Sequence, residues 1–549
     1  MAGRRWSAFA ALATLTMLIG VNVPRGHAQG RGTGWLLAAY RETGGPRPAW
    51  VTDAVGRSLA HQARQGKGRD TLQLRGADLD DLATHVRLDQ VADGVPVFGG
   101  QLIVHLDSTG AVSAESGRYY AGVNVTTTPS LAPDQALAAA QQARGYPGQF
   151  VEPPTARLLI LPQDGQSLLV YQVTLKIEDG TDATAHHQYF VDAHDGHIVH
   201  HFDSLPHEVL PRPTLANVTG SGQSLYSGTV SLGTDSANGT YYLRDNTRGG
   251  MYTTDMQTLQ FGNGSIFTDS DNSWGDGTNR NRQTAGVDAH FGAAQTWDYY
   301  LTVYGRRGID GNGYQLLSRV HYGQNYNNAF WNGTSMTYGD GDGKQFQPLV
   351  ALDVVGHEIT HGVTEQTADL IYENESGAAN ESFSAIFGSS LEYYTGTVGD
   401  RSPDDWIGED IYVPESNGFR NMGDPREDDD PDHYSERYTG SSDNGGVHTN
   451  SGIQNHAFYL LVHGGQNAGC DTSGSNGHTH TANCDITVTG IGRSAAAAIF
   501  YRALTAYLFP RATFQDVRAH CLQAAADLYG ANSTEYNATA AAWTAVGVE

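Results

Sequence analysis

The chain has 549 residues, with 59 acidic against 33 basic side chains and a formal charge of −26. So acidic a surface repels phosphate, which excludes nucleic acid and anionic membranes as partners. The length allows three or four domains of about 150 residues, and a hydrophobic share of 39% is enough to give them packed cores.

The amino terminus reads as an export signal. Arg4 and Arg5 precede an apolar run from about Ala8 to Val23, and the small residues Gly26 and Ala28 suit cleavage after Ala28. The run falls short of the roughly 20 residues that cross a bilayer. No second candidate follows, so a secreted protein without a stable membrane span is expected. Residues 30–200 read as mixed α/β. "HVRLDQV", "GQLIVHLD" and "LLVYQVTLKI" alternate like strands. "APDQALAAAQQAR" is helix-like, with Pro133 near its start, and "YFVDAHDGHIVHH" reads as a hairpin turning at Asp195-Gly196. The prolines of "PHEVLPRPT" mark a linker.

Residues 215–345 are rich in Gly, Asn, Ser, Thr and Tyr, with short strand-like pieces interrupted by the helical pattern "TAGVDAHFGAAQTWDYYLTVYG". From 348 onward apolar residues recur at three- and four-residue steps in "PLVALDVVGHEITHGV", "GAANESFSAIFGSSLEYY", "TNSGIQNHAFYLLVHGG", "GRSAAAAIFYRALTAYL" and "FQDVRAHCLQAAADLYG". A β-rich half followed by a helical half predicts two lobes with a cleft between them. Cys470 and Cys484 bracket a polar, Gly-rich loop. An exported chain keeps a disulfide there, worth about 3 kcal/mol by loop closure. A zinc loop of Cys470, Cys484, His478 and His480 is the rival reading, at a spacing that fits no usual zinc knuckle. Cys521, in a helical pattern, reads as a buried thiol.

The stretch "DVVGHEITHGVTEQ" (353–366) carries the chemistry. On a helix, His357 and His361 stand on one face, one turn apart, and can hold one Zn²⁺ at about 2.0–2.1 Å each. Glu358 is offset by one position and reaches a water beside the metal. Chance alone gives such a motif in roughly a few per cent of chains of this histidine content, where it is a helix with two satisfied surface histidines. A catalytic zinc needs a third protein ligand. Glu381, in "GAANESFSAIFG", follows after room for an antiparallel return, and Asn380 beside it is placed to hold a histidine.

"VVGHEITHGVTEQTADLIYENESGAANESFSAIFG" resembles the thermolysin family of secreted zinc endopeptidases. The resemblance extends over "NYNNAFWNGTSMTYGDGDG", "WIGEDIY", "DPDHYSERYTGSSDNGGVHTNSGIQN" and "GIGRSAAAAIFYRALTAYL", and covers nearly all of 215–549. Residues 80–110 and 165–200 resemble the family's two-part propeptide. The resemblance implies an α+β fold: a β-rich lobe, a mainly helical lobe, zinc in the cleft, and a mixed α/β propeptide in front. The expected boundaries are a signal peptide at 1–28, propeptide domains at 29–125 and 126–205, and lobes at 206–362 and 363–549. Maturation is expected between about 200 and 215. The partners implied are protein and peptide substrates and the chain's own propeptide, as inhibitor and folding aid, on a monomer.

The resemblance also implies roles. His357, His361 and Glu381 hold zinc, and Glu358 is the general base and then acid. Tyr372 and His448 donate to the oxyanion, with Asp443 fixing the tautomer of His448. Asn328, Ala329 and Trp331 offer a strand edge to an extended peptide, and Arg420 grips its carbonyl. Phe346, Leu349, Val354 and Phe419 line a pocket for a large apolar side chain after the scissile bond.

Asp353, Glu392, Asp404 and Glu409 match calcium positions. Asp405 and Trp406 disturb the acidic pattern, so one well-formed calcium site is expected rather than a pair. Asp269 and Asp271 offer a further weak site or merely a solvated turn. One departure stands out: where the family has an Asp four residues after the ligand Glu, bonding the first zinc histidine, this chain has Ala385. The expectation is a working but less metal-retentive site, with water or a backbone carbonyl substituting. The rival functions are a zinc aminopeptidase, which would lack the "NGGVH" histidine, a non-catalytic binding protein on the same fold, and an exported adhesin.

Overall fold

The computed structural model describes residues 38–42, 46–65, 71–80, 82–146, 148–163, 166–177, 185–204, 216–260, 262–414, 418–470 and 480–549. The expected export signal, the linker over 205–215 and His478 lie outside the described residues.

The alternating segments of the first third form one sheet, antiparallel except for a parallel bridge between Val97 and Ile160 that joins its two halves. Strand β1 (Ala38–Arg41), helix α1 (Ala49–Arg64), β2 (Leu72–Leu79), β3 (Thr84–Ala92), β4 (Val95–Leu106) and β5 (Val112–Arg118) come first. Helix α2 (Pro133–Arg144), β6 (Thr155–Gln163), β7 (Gln166–Ile177), β8 (Ala185–Asp192) and β9 (Ile198–Asp203) follow. The sheet runs β1-β2-β3-β4-β6-β7-β8-β9, with β5 on the far side of β4. Period-two alternation gives each face its own task. Val86, Leu88, Leu102, Val104 and Leu106 pack with Val51, Ala54 and Val55 of α1. The opposite face carries His85, Arg87, Gln101, Ile103, His105 and Ser116. Ile103 enters the core of the carboxy-terminal helices, shared with Phe387, Phe500, Leu504 and Trp543. Helix α2 sits where its sequence places it. Gln135 accepts from the Ala132 N–H at 2.9 Å, and Ala136 and Ala140 are buried against the second half of the sheet.

The β-rich region begins with β10 (Ala216–Gln223), β11 (Thr229–Ala237), β12 (Thr240–Tyr242), β13 (Arg244–Asp245), β14 (Met251–Asp255), β15 (Ser265–Ile266), β16 (Thr268–Asp269) and β17 (Ser273–Trp274). Helix α3 (Arg282–Tyr304) follows, then β18 (Leu317–Val320), β19 (Ala329–Trp331) and β20 (Ser335–Tyr338). One sheet has the order β16-β12-β11-β10-β17, the other β13-β14-β18-β20-β19, which leaves β19 at an edge. The Asn281 side chain accepts from the Gln283 N–H to start α3, and Gly305 ends it in the left-handed conformation (φ 69°).

The helical region comprises α4 (Leu352–Glu365), α5 (Asn374–Thr395), a two-stranded pair β21 (Trp406–Ile407) and β22 (Arg420–Asn421), α6 (Asp443–His463), α7 (Arg493–Arg502), α8 (Phe514–Tyr529) and α9 (Thr534–Ala545). Each segment from 348 onward with helical spacing is helical, with one refinement. "GRSAAAAIFYRALTAYL" is α7 followed by a π-helical turn, Ala503–Tyr507. Helices α1 and α9 were not singled out by periodicity. Helix α9 carries alternating small and apolar residues buried on more than one side, which blurs the stripe. Helices α4 and α5 touch backbone to backbone. A Cβ at Gly388 would lie 2.7 Å from the Asp353 carbonyl oxygen, so only glycine allows that approach.

Candidate active site

The close α4–α5 contact brings three ligand atoms together. His357 Nε2 lies 3.2 Å from His361 Nε2. Glu381 Oε2 is 3.4 Å from His357 Nε2, and Oε1 is 3.4 Å from His361 Nε2. Ligands at about 2.0–2.1 Å from a tetrahedral ion are separated by about 3.3 Å, so the triad fits one zinc. The two imidazoles differ behind the site. His361 Nδ1 is 2.8 Å from Asn380 Oδ1, whereas buried His357 Nδ1 has no hydrogen-bond partner among the described residues. Ala385, on the face of α5 shared with Glu381, is buried and offers none. Among the described residues no backbone carbonyl substitutes for the absent carboxylate.

Glu358 is half-buried beside the triad, and burial pushes its carboxyl up to about 7. The hydroxyl of Tyr372 hydrogen-bonds Glu381 and lies 3.1 Å from His448 Nε2. Asp443 holds His448 twice, at its Nδ1 (2.7 Å) and its backbone N–H (2.9 Å). This grip depends on the "DNGG" sequence. Residues Asp443 to Gly446 all have positive φ, a left-handed turn that folds the carboxylate back over the start of α6. Burial disfavours charge on His448, but Glu381 and the Asp443 hydrogen bond outweigh it and raise its pKa.

The proposed substrate residues meet along the same cleft. Ala329 and Trp331 lie on edge strand β19, with Asn328 exposed just before it and accepting the Ala329 N–H at 2.9 Å. Arg420 is buried and sits 3.2 Å from Glu381 Oε2. Phe346 and Phe419 meet edge to face at 5.8 Å, with buried Leu349 and Val354 beside them. Ile407 and Ile411 line the same wall. The sequence reading missed them, though they flank the acidic motif "WIGEDIY" as its only aliphatic residues. It also missed Glu365, whose carboxylate accepts the Trp331 indole N–H at 2.9 Å. Glu365 stands four residues after His361, and that repeat was the signal available.

A second carboxylate cluster lies at the other end of the same helix pair. Glu392, Asp404 and Glu409 each offer an oxygen within 4.8 Å of the others. Asp353 joins them through the Gly408 N–H, which donates to its Oδ2 at 2.6 Å. Asp353 Oδ1, Glu392 Oε2 and Glu409 Oε2 are buried without hydrogen-bond partners among the described residues, which suits a hard divalent cation. Asp405 turns away to ion pairs with Arg493 and with His463, the latter at 2.9 Å. Asp269 and Asp271 spend their carboxylates on neighbouring backbone N–H groups at 2.8–2.9 Å. Cys470 and Cys484 form a disulfide, so their sulfurs are unavailable to a metal, and Cys521 is a buried thiol.

The propeptide region reaches this cleft. His200 of β9 pairs with Glu373 at 3.0 Å. The Asn444 side chain donates to the Asp203 carbonyl at 3.4 Å, and Arg75 of β2 pairs with Asp369. No helix among the described residues is long and apolar enough to cross a membrane.

Comparison with known proteins gives three family matches. Residues 219–365 match the thermolysin metallopeptidase catalytic domain, 368–548 its alpha-helical domain, and 72–119 the fungalysin/thermolysin propeptide motif. The chain is 42% identical to a bacillolysin of Brevibacillus brevis over 478 residues, 85% of this chain and 82% of the relative. It is also 42% identical to a thermolysin of Alicyclobacillus acidocaldarius over 506 residues, 88% and 87% of the two chains. Among solved structures, the precursor of protealysin from Serratia proteamaculans matches 55% of this chain and 87% of its own at 30% identity, with a TM-score of 0.44. The ordered motifs, the converging His-His-Glu triad and the relatives agree: this chain belongs to the thermolysin family and is a zinc metalloendopeptidase made with a propeptide.

Proposed function

We propose that the chain is a secreted endopeptidase in which His357, His361 and Glu381 hold zinc and Glu358, Tyr372, His448 and Asp443 carry the proton and charge chemistry. The observation that carries this reading is the separation of the three ligand atoms, 3.2–3.4 Å, with a base, a phenol and an imidazole around them. A zinc ion there supplies Lewis-acid polarisation of water and carbonyl.

Glu358 takes the proton of the attacking water at a carboxylate oxygen and returns it to the leaving amine nitrogen. A carboxyl pushed up to about 7 is matched to that shuttle. Tyr372 O–H and His448 Nε2–H donate to the oxygen where negative charge develops, and Asp443 keeps the His448 proton on the side facing that oxygen. An extended peptide pairs with the β19 edge at Asn328, Ala329 and Trp331. Arg420 moves from Glu381 to the substrate carbonyl. Phe346, Leu349, Val354 and Phe419 receive a large apolar side chain, joined by Ile407 and Ile411.

Calcium binds at Asp353, Glu392, Asp404 and Glu409, one ion rather than two. The propeptide, cut away between about 200 and 215, covers the cleft as inhibitor until then, and export follows the signal at 1–28. The test is metal analysis of the secreted, matured chain together with casein hydrolysis before and after chelation. One zinc per chain, activity lost with it and regained on adding it back is the expected outcome. A mature chain that cleaves casein without a transition metal ends the reading.

A further inference from the structure

The polar face of β3, β4 and β5 would ordinarily face solvent, yet it is buried against the end of α7 and the π-turn that follows. Arg87 is fully buried and donates to the Thr505 carbonyl at 2.7 Å and the Leu508 carbonyl at 3.2 Å. Ser116 donates to the Tyr507 carbonyl at 2.8 Å. The propeptide thus caps a helix end whose carbonyls the helix itself leaves open.

Between these caps runs a chain of hydrogen bonds. Asp80 Oδ2 lies 2.5 Å from Arg502 Nη1 and 3.1 Å from His85 Nε2. His85 Nδ1 lies 2.6 Å from His105 Nδ1, its direct cross-strand partner, and His105 Nε2 lies 3.0 Å from Ser116 Oγ. Proton counting fixes the roles. Ser116 spends its one proton on the Tyr507 carbonyl, so it accepts from His105 Nε2–H. Burial keeps His105 neutral, so it accepts at Nδ1, and His85 donates from both nitrogens, to His105 and to Asp80. The chain closes only with three protons on the four ring nitrogens.

We propose that this histidine pair is an acid-sensitive latch between the propeptide and the enzyme's helical lobe, holding while the pair shares three protons and opening when His105 takes a fourth. It rests on the propeptide acting as inhibitor. A second proton sets N–H against N–H across 2.6 Å and adds a charge next to that of His85. Every neighbour matters to that balance. Arg87 and Arg502 repel the new charge, as does His520, whose ring stacks on Tyr507 at 5.7 Å. Asp80 and Asp527 are already engaged with Arg502, and Asp516 with Arg118 at 3.5 Å. Burial, then His85, Arg87, His520 and Arg502, hold His105 well below its ordinary range. A histidine released to water titrates near 6.5. Docking therefore weakens as pH falls below about 6.5, by up to tenfold per pH unit for one proton.

Hydrogen exchange of the 503–509 amides in the full-length precursor, carrying Glu358→Gln so that it stays intact, tests the latch. Protection corrected for intrinsic rates should fall up to about tenfold per pH unit below about 6.5. His105→Gln should flatten that slope. Arg87→Gln should lower protection by a constant factor and leave the slope in place. A parent whose protection does not change with pH, or a His105→Gln precursor that keeps the parental slope, overturns the proposal. Peptidase activity is not read here, so failure of the endopeptidase reading would appear in the metal and casein assays instead.

Discussion

Helices α4 and α5 each contribute to two acidic sites, and the sites treat the same residue type in opposite ways. Burial opposes ionisation of both Glu381 and Glu392. At Glu381, His448, His357 and His361 outweigh burial and hold the carboxyl well below its ordinary range. At Glu392, Asp353, Glu409 and Asp404 add to burial and push it well above. Both lie on one helix, three turns apart. The first site mixes imidazole, phenol and carboxylate around one point, which is an arrangement for moving protons. The second is carboxylate alone, which is an arrangement for holding a cation.

The largest expected effect breaks the first site without emptying it. Glu358→Gln keeps the side chain's size and leaves the three ligand atoms untouched. It removes the base, so kcat should fall by about 10²–10⁴-fold while zinc content is unchanged. The parent's rate should rise with pH through the ionisation of Glu358, because the base works only when deprotonated. The variant's residual rate should lose that acid limb. Steady-state kinetics across pH with zinc measured on the same samples decides it, and a variant that loses its zinc would assign Glu358 to the ligand cage.

The second site responds in the opposite sense to the same kind of change. Burial first, then Asp353 and Asp404, push Glu409 up to about 10, and burial raises Asp353 to about 7. A carboxyl whose folded pKa is raised stabilises the fold below its unfolded value of about 4.3 and loses that contribution as pH rises through the folded pKa. The calcium-free protein should therefore lose stability from about pH 4.5 upward, and the calcium-loaded protein should not. Glu409→Gln removes a carboxyl that the calcium-free fold holds against ionisation. It should raise Tm in excess chelator and lower it in excess calcium, where a ligand worth about 2.7 kcal/mol at 100 times Kd is weakened. Thermal melts in both conditions, with a change of the same sign in each, would contradict the cation-holding role.

The two sites were not equally legible from sequence. The pairing of His357 with His361 and the offset of Glu358 follow from helical spacing, whereas Glu381 stands on a second helix and was assigned through the family resemblance. The lobes were legible too, since apolar spacing changes near residue 348. The strand faces of β3 to β5 were misleading: His85, Arg87 and His105 alternate like a solvent face and instead cap another element, and no local pattern records a partner so far along the chain. The pairing of Asp443 with His448 was expected from the resemblance, and the left-handed turn at Asp443–Gly446 that makes it left a trace in "DNGG". The wall residues Ile407 and Ile411 were hidden inside an acidic motif.

The smallest expected effect sharpens the comparison within the first site. His361 is braced by Asn380 at 2.8 Å, and His357 Nδ1 has no hydrogen-bond partner among the described residues. An unbraced imidazole must be oriented by the ion it binds, and that entropy is charged against metal affinity. Ala385→Asp places a carboxylate one turn after Glu381, on the face of α5 turned to α4. A carboxylate within reach of His357 Nδ1 would accept its N–H, fix the tautomer and raise the basicity of Nε2. Zinc affinity should rise by about 10–100-fold. Competition with a chelator of known strength measures this without reference to turnover. The burial of Ala385 makes the test sharp, because an Asp there is either paired with His357 or strands a charge in the core and lowers Tm. A variant with parental Tm and parental zinc affinity would show that the bare nitrogen costs the enzyme nothing.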